Sequence, residues 1–238
     1  MKTDILAFAA HPDDIEISCG ATIIKHIRLG KKVVIADFTR GELGTRGSAE
    51  IRDMEAAESA RIMGIHQRVN LGFRDVFFVH DERHILKIVE TIRRFQPEIV
   101  IANAPNDRHP DHGRASKMVD EACFLSGLRR ITMNFEGEDL KPWRPKTIYH
   151  YIQDQYLDPD FIVDVTGLEE DKMTALKAFK SQFFDPDSKE PVTPISRKDF
   201  FDVILGQMKV MGRSIGVAYG EGFIAHRHVG VNCLTDLV

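Results

Sequence analysis

Ile5-Leu6-Ala7-Phe8-Ala9-Ala10-His11-Pro12-Asp13-Asp14 is the segment on which the fold turns. Its apolar run is too short for a helix and is bounded by a Pro-containing acidic turn, the pattern of a strand buried on both faces in a parallel sheet. The polar turn then falls at the strand's carboxyl end, where open α/β sheets bind their ligands.

Working outward, Ile23, Ile24 and Ile27 recur at helical spacing over residues 20–29, Gly30 follows as a cap, and residues 33–38 form a second apolar strand. This is a βαβ unit. A Gly- and Thr-rich loop (39–47) leads to a helix over 48–64. A further helix (81–95) passes through Pro97 to a strand at 99–102, whose end runs into the polar segment 103–113. Three polar loops at strand ends are expected to converge on one pocket. The remainder, with strands at 147–151 and 161–165, helices near 168–183 and 198–212 and a Pro-rich loop at 185–194, continues the same pattern. The expected fold class is α/β: one domain over 1–238, Rossmann-like, in three α/β/α layers around a mostly parallel sheet with the site at its carboxyl edge.

The chain has 238 residues, 43% hydrophobic, and a formal charge of −4 spread among interspersed acids and bases. That suffices for a full core and provides no electrostatic footprint for nucleic acid or an anionic membrane. Small molecules and copies of the chain itself are the expected partners. Cys19, Cys123 and Cys233 are odd in number and far apart, which argues against a disulfide framework and against a cysteine zinc site. They are expected to fill core space. The amino-terminal apolar run is too short for a signal or membrane segment, so the cytoplasm is the expected compartment.

His11, Asp13 and Asp14 lie within four residues, and His109-Pro110-Asp111-His112-Gly113 sits at the end of another strand, opening a helix that continues from about residue 114. Zinc accepts imidazole nitrogen and carboxylate oxygen, and catalytic sites commonly use three protein ligands. Spacing alone does not choose between His109 and His112.

The two motifs in this order resemble the LmbE/PIG-L family of zinc-dependent N-acetylglucosaminide de-N-acetylases. The resemblance implies one Zn2+ per subunit, with other divalent metals able to suit the same donors, on His11, Asp14 and His112. It implies Asp13 as the base that activates the attacking water, and His109 as a stabiliser of the oxyanion. Asp107 stands where some relatives carry a tyrosine, leaving zinc and His109 for that task. Residues 39–47 with Arg52, and residues 161–165, 180–183 and 219–223, resemble the branch acting in bacillithiol biosynthesis. The implied substrate is N-acetylglucosaminyl malate, hydrolysed to glucosaminyl malate and acetate. Arg52 and Arg108 are candidates to hold the dianionic malate, and Asp75 to accept sugar hydroxyls. A deacetylase of another N-acetylglucosamine compound, a chito-oligosaccharide or a thiol conjugate, would keep the metal motifs. Family relatives also imply a homo-oligomer, expected to be a hexamer.

His80 and His84, four apart on the expected helix, are read as a solvated face, and His226 and His228 as loop or interface residues. A two-metal phosphoesterase needs more carboxylate ligands than these motifs offer. A sugar-binding or metal-storage protein would have no use for an unliganded Asp13.

Overall fold

Strand β1 (Ile5–Ala9) pairs in parallel with β2 (Val33–Asp37) on one side and β4 (Ile99–Ala102) on the other. These are elements of a computed structural model that describes residues 2–236; residues 1, 237 and 238 of the expected domain lie outside the described residues. Beyond β2 lies β3 (Gln67–Asn70), and beyond β4 lies β7 (Thr147–Tyr151), both parallel to their neighbours. Antiparallel β9 (Gly220–Ala225) and then β8 (Phe161–Asp164) complete the order β3-β2-β1-β4-β7-β9-β8. A separate hairpin joins β5 (Asn134–Phe135) to β6 (Glu138–Asp139).

The period of two along β1 divides the molecule into layers. Ile5, Ala7 and Ala9 face a core with Ile15 and Ile23 of α1 (Asp14–Arg28), Met63 of α2 (Ala49–Met63), Leu176 of α5 (Glu169–Leu176) and Ile204 of α6 (Phe200–Ser214). Leu6, Phe8 and Ala10 face the opposite core, with Ile88 and Ile92 of α3 (Glu82–Phe95) and Ala115 and Val119 of α4 (Pro110–Leu125). The sheet is covered on both faces, as its uninterrupted apolar strands require.

Local chemistry sets most helix ends. Ser48 accepts from the Ile51 N–H, Gly64 closes α2 at φ 78°, and Asp81 accepts from the His84 N–H. α1 starts earlier than expected, at Asp14 rather than near residue 20, and bends at Cys19 (φ −131°), whereas α4 begins at Pro110, inside the motif expected to open it. The first turn of α1 buries Asp14 and Glu16 alongside Ile15, and that of α4 buries Asp111 and His112, so buried polar residues interrupt the apolar period there. α5 ends at Leu176, short of residue 183, and residues 177–183 continue in turns.

Strands β3 and β9 fall outside the expected elements. β3 is a polar edge strand held by its backbone ladder, and β9 contains Gly220 and Gly222. A Cβ on Gly220 would lie 2.5 Å from Ile162 Cγ2, so that close approach requires glycine. Cys19 and Cys123 fill core space, but Cys233 is exposed, contrary to the expectation. His80 precedes α3 and pairs with Glu121 (2.6 Å), so the two histidines do not share a helix face. Among the described residues no helix is long and apolar enough to cross a membrane.

Candidate metal and catalytic site

Chain order reverses between β1 and β4, and the two motifs leave these adjacent strands at their carboxyl ends, flanking the crevice that such a reversal creates. Asp13 is the N-cap of α1 at φ 118°, a conformation strained for a residue with a Cβ. It separates the paired carboxylates. Asp13 Oδ2 accepts from Arg52 Nη2 at 2.9 Å, and Arg52 Nη2 also donates to the Pro12 carbonyl. Asp14 turns the other way: Oδ2 accepts from the His11 N–H (3.0 Å) and Asn103 Nδ2 (2.9 Å), and Oδ1 accepts from Gln153 Nε2 (3.1 Å).

Asp14 Oδ1 lies 3.2 Å from His112 Nε2, and Asp14 Oδ2 lies 3.7 Å from His11 Nδ1. The expected ligands His11, Asp14 and His112 are thus brought together, through different oxygens of one carboxylate. His112 Nδ1 donates to Asp107 Oδ2 at 2.5 Å, which fixes the ring and turns Nε2 inward. His109 packs against both rings, at centroid distances of 4.7 Å to His11 and 5.0 Å to His112. His11 Nε2 also faces Asp75 Oδ1 (3.1 Å) and Asp111 Oδ2 (3.3 Å). Possible ligand atoms converge in two further sets, His11 with His109 and His112, and His11 with Asp75 and Asp111.

Burial opposes charge on His11 and His112, yet the surrounding carboxylates prevail. The carboxylates of Asp111, Asp14 and Asp75 hold the His11 pKa well above its ordinary value, and Asp14 and Asp107 bring His112 to about 9. Burial pushes the Asp13 carboxyl up to about 7 against the lowering effect of Arg52. Burial and the neighbouring His11 and His112 lower the His109 pKa, which favours the neutral ring. Because its Nδ1 accepts from the Asp111 N–H, its Nε2 carries the proton.

A cluster rich in carboxylates that retains protons on buried imidazoles, with Asp75 Oδ1 buried and without a well-aligned donor, suits a divalent cation. Bound at His11, Asp14 and His112, such an ion would supply Lewis acidity toward water and an amide carbonyl.

A cavity of about 300 Å³ opens over these groups. Asp13, His109, Arg52, Asp75 and Arg108 line it, so every expected site residue reaches one space. Three of them also engage partners within the protein. Arg52 is buried and engages Asp13, Asp75 faces His11, and Arg108 Nε donates to Asp154 at 2.5 Å on the exposed rim. Three positioning residues escape the motif reading. Asn103 follows β4 directly and Gln153 lies two residues beyond the end of β7, so the strand-end rule that finds His11 extends to them; nothing local marks Asp107 as the partner of His112.

Fold and site together define an α/β protein with a buried imidazole–carboxylate centre at the carboxyl edge of its sheet. The family described as PIG-L, GlcNAc-PI de-N-acetylase, matches residues 6–123. Diacetylchitobiose deacetylase of Thermococcus kodakarensis is 30% identical over 190 residues, covering 75% of this chain and 70% of that protein. The chain belongs to the PIG-L family of de-N-acetylases. Among solved structures it is similar to the conserved protein TT1542 from Thermus thermophilus (31% identity, TM-score 0.86, 98% of each chain). It is also similar to N,N'-diacetylchitobiose deacetylase from Pyrococcus horikoshii (27% identity, TM-score 0.79, covering 99% of this chain and 89% of that one).

Proposed function

We propose that this protein is a zinc-dependent N-deacetylase that hydrolyses the acetamide of N-acetylglucosaminyl malate, releasing acetate and the free amine. The observation that carries the reading is Asp13. It is a carboxyl raised to about 7, facing the cavity beside the candidate ligands His11, Asp14 and His112. A base of that pKa accepts a proton from water at neutral pH. The water oxygen bonds to the acetyl carbon, the carbonyl π pair moves to its oxygen, and His109 Nε2–H donates to the developing oxyanion. The C–N bond then breaks as Asp13 returns its proton to the departing amine. Zinc is the proposed ion, although other divalent metals suit the same donors.

The malate assignment is supported by Arg108 on the cavity rim, whose guanidinium can pair with a carboxylate. A second reading, a neutral chito-oligosaccharide, is supported by an apolar part of the cavity lining. Ile195, Phe200, Val203 and Ile204 offer an apolar face suited to a sugar ring, and the similar Thermococcus protein is named for diacetylchitobiose. Amine release from N-acetylglucosaminyl malate, diacetylchitobiose and N-acetylglucosamine, with enzyme of measured zinc content, separates them. Preference for the malate compound supports the first reading, preference for diacetylchitobiose the second, and activity on none of the three overturns both.

A homo-oligomer, a hexamer by family resemblance, is also proposed. The adjacent exposed residues Val76, Phe77 and Val79 support it as an apolar surface for a second copy, and a monomer by light scattering would refute it. Action in the cytoplasm is proposed on the odd number and wide spacing of Cys19, Cys123 and Cys233.

A further inference from the structure

Away from the crevice, three potential ligands from distant parts of the chain meet. Asp120 lies on α4, His150 on β7, and His226 directly after β9, where its N–H donates to the Ile148 carbonyl. His150 is 3% exposed, and its Nδ1 is 2.9 Å from the Asn103 carbonyl oxygen and 3.1 Å from Ser116 Oγ. A carbonyl only accepts, so Nδ1 carries the proton and Nε2 presents its lone pair to Asp120. A histidine whose far nitrogen is anchored on a carbonyl is oriented in the manner of a metal ligand.

The geometry fits an ion better than a hydrogen bond. Asp120 Oδ1 lies 3.2 Å from His150 Nε2 and 3.5 Å from His226 Nδ1, yet it is buried with no properly aligned donor. Zinc–nitrogen and zinc–oxygen bonds of about 2.0–2.1 Å in a tetrahedron place neighbouring ligand atoms about 3.4 Å apart. All three ligand atoms fall within 4.8 Å of one another. His226 is exposed, so water can complete the coordination shell. Arg144, Lys146 and Arg227 share the adjoining cavity, but Arg144 is turned to the Phe124 carbonyl and Lys146 to Glu98.

We propose that Asp120, His150 and His226 form a second site for a divalent transition-metal ion of the zinc type, distinct from the catalytic centre. It adjoins that centre through one residue. The Asn103 carbonyl anchors His150, and the Asn103 side chain donates to Asp14 Oδ2. An ion here would tie α4, β7 and β9 together behind Asn103.

The test is zinc stoichiometry. Wild-type protein, His226→Ala and Asp120→Asn are stripped with chelator and dialysed against zinc buffered below the level that populates unspecific surface sites; bound metal is then measured. His226 is exposed, so its replacement leaves the fold intact, which circular dichroism checks. Wild type is expected to retain one more equivalent per chain than either variant. Equal equivalents in all three proteins would overturn the proposal and leave Asp120, His150 and His226 as a polar cluster.

Discussion

Arg52 Nη2 donates to Asp13 Oδ2 across 2.9 Å, with only 5% and 6% of the two side chains exposed. The pair lies 39 positions apart in sequence and joins α2 to the first motif. Beside it, a Cβ on Gly41 (φ 65°) would fall 2.1 Å from Arg52 Nη1, so that glycine makes room for the guanidinium.

Replacing Arg52 by Met removes the cation that lowers the Asp13 pKa. The ionised carboxylate is the active base, so a higher pKa moves the acid limb of kcat/KM to higher pH, by about one unit, equivalent to ~1.4 kcal/mol. An unmoved acid limb with a raised KM would instead place Arg52 against the substrate.

Asp13→Asn keeps size and polarity but cannot take a proton. Loss of a general base costs on the order of 10²–10⁴ in rate, while bound metal per chain is expected to be unchanged. Unaltered turnover would remove Asp13 from the role of base.

Asp107→Ala frees His112 Nδ1 and with it the orientation of Nε2. Loss of such an outer partner weakens metal affinity about 10–100-fold, measurable by competition with a chromophoric chelator. Wild-type affinity would show that Asp107 does not hold the ligand.

Arg68 on β3 bonds Asp37 at 2.6 and 2.9 Å and Glu16 at 2.6 Å, all three side chains being buried. Arg68→Met leaves two buried carboxylates without their cation and is expected to cost about 3–5 kcal/mol in denaturant unfolding. Burial already raises the Asp37 pKa against the opposing effect of Arg68. In the variant it rises further above the unfolded value, so the native state binds more protons than the unfolded chain between the two pKa values. Stability therefore falls as pH rises through that window, and the deficit is expected to shrink toward acid pH.

Much of this protein is local. Residues 5–10 can only be a buried strand, Ser48, Gly64 and Asp81 mark helix ends by their own hydrogen bonds or backbone angle, and the two motifs necessarily lie at strand ends. These features depend on side-chain period and on capping over a few residues, so they survive in a bare sequence. The first turn of α1 is not legible there because it buries the polar Asp14 and Glu16. β3 and β9 are not legible because a polar edge strand and a glycine-bearing strand take their stability from partners remote in sequence.

The layered α/β architecture is legible in the sequence, and with the family resemblance so are His11, Asp13, Asp14, Arg52, Asp75, Arg108, His109 and His112 among the residues that line the cavity. Tertiary structure alone decided their pairings: Arg52 with Asp13, Asp107 with His112, and Asn103 and Gln153 with Asp14. Such pairings depend on the register of β1 against β4 and β7 and on the directions in which buried side chains leave their loops. A charged group shut away from water must find its counter-charge or hydrogen-bond donor wherever the folded chain brings one, and local sequence does not encode where that will be.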